Sequence, residues 1–188
     1  MLPQSPERRL VIDIGGRSTE LILGQQYTAQ LAQSFRVGSV AWSMKYFPDG
    51  LFTEQAFQMA EIAAQAVMDE AQITHDRQFW DVAYGASGTV GAVGEVLHAL
   101  GGPAGVISRE GLDDLTLRLL RAQSADRLKL EGLKPDRRAV IGGGISVLRA
   151  VFDLLQISTL QVAQGALRQG ALYDLLQREQ PQTDVRES

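Results

Sequence analysis

The hydrophobic pattern of the chain changes period as it runs. Leu10 to Ile14 is a short, mainly apolar run that carries one acid, Asp13, and ends at Gly15-Gly16, as a strand leading into a turn would. A second run, Leu21 to Leu23, follows the polar segment Gly15-Gly16-Arg17-Ser18-Thr19-Glu20. The pattern predicts a strand at Leu10 to Ile14, another at Thr19 to Leu23, and a third within Thr28 to Val37, after the turn Gly24-Gln25-Gln26. Val40 to Phe47 reads as a short helix closed by Phe47-Pro48-Asp49-Gly50. Thr53 can cap a long helix whose apolar positions Ala56, Ala60, Ala63 and Val67 are spaced four, three and four.

A short strand, Asp81 to Gly85, leads into Ala86-Ser87-Gly88-Thr89 and a helix with Val90, Val93, Leu97 and Leu100 on one face. Gly101-Gly102-Pro103 ends that helix. Gly111 to Gly132 looks like a helical insertion, with Leu112, Leu115 and Leu119 on one side and Ser124 capping a second piece. Asp136 could cap a helix to Leu155, but Gly142-Gly143-Gly144 lies within it. Each glycine costs a helix about 1 kcal/mol against alanine. Either the helix begins after them or something must approach its backbone closely. Ser158 to Val162 is a last strand and Ala166 to Leu176 a last helix, with Leu172, Leu175 and Leu176 facing inward.

Three antiparallel strands followed by helix-connected strands predict an α/β fold: a mixed five-stranded sheet flanked by helices, with a helical insertion. One domain is expected over residues 10–177, after a disordered or linker N-terminus at 1–9 and before a polar tail at 178–188. A chain of 188 residues, 45% of them hydrophobic, can bury a substantial core. The net charge of −4 argues against a nucleic-acid surface, so a polyanion would need local positive potential or a divalent cation. There is no cysteine, hence no disulfide and no thiolate metal site. The polar start is no signal peptide, and no apolar run approaches the ~18 residues of a membrane helix. A cytoplasmic location is the expectation.

Two segments carry candidate chemistry. Gly15 and Gly16 accept turn dihedrals and would let an anion touch backbone amides, and Ser18 and Thr19 add hydroxyls. The flanking carboxylates of Asp13 and Glu20 suit a metal or an oriented water. The plainer reading is a hairpin whose glycines only make the turn. In the second segment, Ser87, Gly88 and Thr89 sit where a strand hands over to a helix, a natural anion site. Ser87 could equally be a simple N-cap. Gly142-Gly143-Gly144 is a third glycine loop, and in such sheets ligands sit at strand ends.

With these residues in view, the chain resembles the exopolyphosphatase and guanosine pentaphosphate phosphatase family of the actin-like superfamily, whose domains have a ribonuclease H-like fold. Asp13 to Glu20 matches that family's Asp-Ile-Gly-Gly-(Gly/Ala)-Ser-Thr-Glu, and Gly85-Ala86-Ser87-Gly88-Thr89 its Gly-(Thr/Ala)-Ser-Gly-Thr. Val37-Gly38-Ser39-Val40 resembles its Gly-Cys-Val segment, and Gly165-Ala166-Leu167-Arg168-Gln169-Gly170 its Gly-Ala-Leu-Arg-Glu-Gly. Arg127, Gly132 and Arg137 fall where it has Arg, Gly and Arg. Arg17 departs from a small residue in the first loop, Gly142 from a frequent proline, and Gln169 from glutamate.

The resemblance implies removal of a terminal phosphate from polyphosphate, or of the 5′ γ-phosphate from guanosine pentaphosphate. It implies that Gly15, Gly16, Ser18 and Thr19 cradle one phosphate; Arg17, where the chain departs from the family, could clash in that loop or reach a phosphate as a bidentate donor. Ser87, Gly88 and Thr89 would form a second contact, and Gly143 and Gly144 would let substrate pass close. Asp13 and Glu20 would hold Mg²⁺ or another divalent cation and take the catalytic roles in this chain. It also implies a preceding domain that brings the water-activating glutamate. The chain is then half of a phosphatase, as a piece of a longer enzyme or a shortened gene product, with little turnover alone. The rival expectation is a non-catalytic module that binds polyphosphate or nucleotide, or forms a homodimer through the surface where the other half would dock. A sugar or acetate kinase-like half is opposed by the Ser-Thr-Glu and Gly-Ala-Leu-Arg segments. His75 and His98 have no ligand spacing, and Trp42 and Trp80 read as packing residues. Arg137-Arg138 could face a polyphosphate tail or simply start a solvated helix.

Overall fold

The computed structural model of the chain describes residues 6–26 and 28–163. Strands β1 (Arg8–Ile14), β2 (Thr19–Gln25) and β3 (Thr28–Phe35) form an antiparallel meander. Helices α1 (Ser39–Tyr46), α2 (Glu54–Val67) and α3 (Ala71–Thr74) lead to β4 (Val82–Gly85) and α4 (Gly88–Ala99). Then come β5 (Val106–Ser108), α5 (Arg109–Ala122), α6 (Ile141–Leu154) and β6 (Thr159–Val162). The sheet order is β3-β2-β1-β4-β6-β5, with β1, β4 and β6 parallel and β5 antiparallel at the edge.

The sheet therefore has six strands where five were expected. β5 is three residues long and lies between Gly105 and a helix start, too short to show a period. Ser108, its last residue, caps α5 by accepting from the Gly111 amide at 3.0 Å. Ser124 caps no second helix; it pairs with Leu51 in an isolated bridge. Asp136 falls in a single 3-10 turn, Pro135–Arg137, and α6 starts at Ile141, with the glycines inside it. β1 begins two residues before the expected domain start, since Arg8 and Arg9 belong to it, while residues 1–5 lie outside the described residues. Arg8 grips Asp81 with its backbone amide (3.0 Å) and guanidinium (2.7 Å), and holds that carboxyl down at about 2. The expected helix Ala166 to Leu176 and the tail at 178–188 lie outside the described residues.

Burial follows the period-two rule along β1. Leu10, Ile12 and Ile14 join Leu21, Leu23 and the apolar faces of the helices in one core. On the other face, Val11 and Ile22 form a small cluster with Ala86. Thr53 does cap α2, accepting from the Ala56 amide at 3.1 Å. The buried stripe of α2 is Phe57, Ala60 and Ala64, continued by Met68 and Ala71, while Val67 is 45% exposed. The predicted face was displaced by one position because alanines fit either side; the large Phe57 and Met68 set it. Arg149 of α6 ties its neighbours together, donating to Glu61 of α2 (2.7 Å) and Asp113 of α5 (2.5 Å). Burial pushes the Glu61 carboxyl up, against the pull of Arg149. Among the described residues, no helix is long and apolar enough to cross a membrane.

Candidate functional site

β1 and β4 run parallel and adjacent, with Ile12 opposite Gly85, so the loops that follow them leave at the same edge of the sheet. The loop after β1 is a tight reversal, closed by the Gly15 amide donating to the Ser18 carbonyl at 2.8 Å. Its next two carbonyls turn inward onto the start of α1. Gly15 O accepts from Ser39 N (2.9 Å), and Gly16 O from Val40 N and Ala41 N (3.0 Å each). In a planar trans peptide the C=O and the following N–H point in opposite directions. Anchoring these two carbonyls on α1 therefore aims the Gly16 and Arg17 amides away from the protein. Among the described residues, the amides of Gly16, Arg17 and Ser18 donate to no protein acceptor. Three successive free N–H groups make an anion-binding concavity. Gly38 is needed beneath it, because a Cβ there would collide with the backbone of Arg17.

The second loop opens α4. The Ser87 hydroxyl accepts from the Val90 amide at 3.0 Å, so the simple N-cap reading holds for that side chain. The Gly88 and Thr89 amides have no protein acceptor among the described residues, and α4 presents them at its positive end. The Arg137 guanidinium lies against Gly88, where a Cβ would press on its nitrogens. No described carboxylate pairs with Arg137. A cation over a helix N-terminus is unfavourable unless an anion sits with it. Of the two readings for Arg137-Arg138, this placement favours an anion contact for Arg137. The signal available in sequence was its place before the third glycine motif.

The third glycine run, in the first turn of α6 rather than in a loop, reaches the same edge but is closed. A Cβ on Gly143 would strike the Ser39 carbonyl and the Ser43 backbone, and one on Gly144 would meet Thr89 Cγ2 at 2.7 Å. The Gly143 amide donates to Ser43 Oγ at 3.0 Å and the Gly144 amide to Val140 O at 3.0 Å. What comes close to this backbone is helix α1, which answers the question the glycines posed. Ser39 thus touches the first loop and the third, and Thr89 links the third to the second. Segments near residues 15, 88 and 143 are gathered in one place. Gly143 and Gly144 build it by packing and offer no free amide. Thr19 is likewise internal: its fully buried hydroxyl donates to Val37 O at 2.7 Å and is committed there.

Asp13 and Glu20 stand directly opposite each other across β1 and β2, so their side chains share one face. Glu20 Oε1 accepts from Ser18 Oγ at 2.6 Å and from Ser34 Oγ at 2.9 Å. Ser34, on β3, was not signalled by any motif; it is opposite Glu20 in the β2–β3 register. No group of three or more His, Cys, Asp or Glu able to hold a metal occurs among the described residues. Two carboxylates nevertheless suit Mg²⁺, which takes one or two of them and completes its shell with waters and substrate phosphates.

The remaining candidates are structural. His75 is fully buried, its Nδ1 2.9 Å from Thr74 Oγ1 and its Nε2 3.1 Å from Leu21 O; burial lowers its pKa. His98 lies on the exposed side of α4, with Nδ1 2.9 Å from Gly102 O. Trp42 and Trp80 are buried, each donating to a backbone carbonyl.

The sequence matches the Ppx/GppA phosphatase family over residues 2–179. A Haemophilus influenzae protein named as an exopolyphosphatase is 36% identical over 168 residues, 89% of this chain and 52% of its own length. A Vibrio cholerae guanosine-5′-triphosphate,3′-diphosphate pyrophosphatase is 38% identical over 179 residues, 95% of this chain and 36% of its own. The Aquifex aeolicus PPX-GPPA enzyme shares the fold with a TM-score of 0.73 at 18% identity, covering 90% of this chain and 57% of that one. An exopolyphosphatase from Cytophaga hutchinsonii does so with a TM-score of 0.71 at 22% identity, covering 94% and 59%. The shared architecture is actin-like. The chain spans between about a third and about half of the curated relatives it matches.

Proposed function

The chain belongs to the Ppx/GppA phosphatase family, and from that premise we propose that it forms one wall of a cleft that removes a terminal phosphate from polyphosphate or guanosine pentaphosphate. The observation that carries the reading is the meeting of two sets of outward amides at one sheet edge: Gly16, Arg17 and Ser18 on one side, Gly88 and Thr89 on the other. In this reading the first loop cradles the phosphoryl group to be transferred. The start of α4, with Arg137, holds a neighbouring phosphate. Arg17, at the exposed tip of the first loop, adds a bidentate donor.

Asp13 and Glu20 are the residues that would hold a divalent cation, which when bound would neutralise charge on the phosphoryl oxygens. Fixed amides aimed at developing negative charge lower the barrier without reorganising during the reaction. The water-activating base is supplied from outside the described residues, by a part of the longer enzymes that this chain does not span. The isolated chain should then bind polyphosphate in a Mg²⁺-dependent way and release phosphate slowly.

The test is isothermal titration of the 188-residue chain with polyphosphate, with and without Mg²⁺, alongside a phosphate-release assay. Mg²⁺-dependent binding with release well under about 1 s⁻¹ is the expected result. Absence of binding overturns the phosphate-site reading. Turnover at enzymatic rates overturns the assignment of the base to another part.

A further inference from the structure

Glu20 is held in an unusual way for a residue meant to bind a cation. Both of its hydrogen bonds fall on one oxygen, Oε1: Ser18 Oγ at 2.6 Å from the loop and Ser34 Oγ at 2.9 Å from the neighbouring strand. No hydrogen bond from a described residue reaches Oε2. Ser18 belongs to a turn that a ligand would contact, whereas Ser34 belongs to the ladder, opposite Glu20 in register. A donor on the ladder moves with the sheet, so its grip persists when the loop adjusts to a phosphate.

We propose that Ser34 is a positioning residue for Glu20. By gripping Oε1 it fixes the carboxylate so that Oε2 is the oxygen presented to a divalent cation. The inference rests on the reading of Glu20 as a cation ligand and adds to it the residue that orients the ligand. Partners that orient a ligating carboxylate usually contribute ten- to hundred-fold in metal affinity or activity. Ser34 is solvent-exposed, so water can partly replace its hydroxyl, and the low end of that range applies.

Mn²⁺ is a suitable probe, because its binding is read from water-proton relaxation without any turnover. The 188-residue chain and its Glu20→Gln, Ser34→Ala and Ser34→Thr variants are titrated in parallel. Glu20→Gln is expected to abolish the specific Mn²⁺ site. Ser34→Ala should weaken binding about ten-fold, and Ser34→Thr, which keeps the hydroxyl and suits a strand, should bind like the parent. Thermal melts of the same variants identify a purely structural role, which would shift the midpoint in Ser34→Ala and leave Mn²⁺ affinity unchanged. That pattern, with Glu20→Gln still defective, overturns the role of Ser34 and spares the cation reading of Glu20. Equal Mn²⁺ binding by the parent and Glu20→Gln, or none by the parent, overturns the cation reading itself and the inference with it.

Discussion

Helices α1 and α4 both begin at the candidate site, and their first turns have opposite fates. The leading amides of α1 are taken by the protein: Ser39, Val40 and Ala41 donate to the Gly15 and Gly16 carbonyls. The leading amides of α4, on Gly88 and Thr89, find no acceptor among the described residues. Every helix start leaves four donors without an internal partner, so each must find an acceptor elsewhere. α1 uses its donors to hold a loop, and the loop's own amides are turned outward as a result. α4 presents its donors directly, with Ser87 as its cap. One helix acts as a foundation and the other as a surface. Changes in the foundation should therefore cost stability, and changes in the surface should cost binding.

The foundation breaks most severely at Gly143. A side chain there has no room, because the atoms it would meet are the Ser39 carbonyl and the Ser43 backbone, which cannot yield as a flexible side chain would. Gly143→Val should cost more than 3 kcal/mol, beyond the usual range for overpacking, and leave little folded protein in a denaturant titration. Gly91→Ala provides the contrast on the same scale. Among the described residues a Cβ at Gly91 meets nothing within 4 Å, and α4 should gain up to about 1 kcal/mol.

Thr19→Val is the next largest change. It keeps the shape of the buried side chain and removes the hydroxyl that holds Val37 O, leaving that acceptor unpaired ahead of α1. A loss of about 1–3 kcal/mol in unfolding free energy is expected. Polyphosphate affinity should fall only as far as the loop loosens. If instead Thr19→Val leaves stability alone and abolishes binding, Thr19 belongs to the surface and the division drawn here fails. Ser87→Ala should be milder, about 1 kcal/mol for the lost cap, with the Gly88 and Thr89 amides left in place.

The readable parts of this architecture were those with a local signature. The first two strands, the α4 stripe of Val90, Val93 and Leu97, and the Thr53 cap follow from spacing, capping chemistry and turn residues alone. The gathering of the loops was legible only as far as parallel strands deliver their ends to one edge. Which donors are free was not legible. Thr19 and Ser18 are neighbours in one motif, yet alternation along β2 sends Thr19 into the core and leaves Ser18 beside Glu20. Gly143 reads in sequence like a phosphate loop and serves as a helix-packing contact. Ser34 depends on register and leaves no trace in local pattern, and the approach of Arg137 to Gly88 depends on a long-range crossing signalled only by the place of Arg137 before the third glycine motif.

Acid should test the foundation more gently. His75 is buried without charge and its pKa lies below the ordinary 6.5, first because burial disfavours the imidazolium. Below that pH the unfolded chain binds a proton that the folded chain resists, so unfolding free energy should decline as pH drops through and below 6.5. His75→Gln should flatten that part of the profile. Asp81 adds a separate, more acidic window. Its carboxyl, held near 2 by Arg8, supports the fold above 3.8 and ceases to do so as pH falls from 3.8 toward 2.

Arg137→Ala is the smallest perturbation of the fold and the sharpest test of the surface. The guanidinium stands beside Gly88 at the positive end of α4, with no described carboxylate to compensate it. Removing it should leave the melting midpoint unchanged or raise it slightly, by no more than about 0.3–1 kcal/mol in free energy. The same change should weaken polyphosphate binding about ten-fold, the cost of one charge-assisted contact. The residual affinity should also show a shallower dependence on salt. A substitution that stabilises the empty protein while weakening its ligand is the behaviour of a group placed for an anion rather than for packing. Loss of stability with unchanged binding would instead assign Arg137 to the foundation, and the start of α4 would then have no cation of its own.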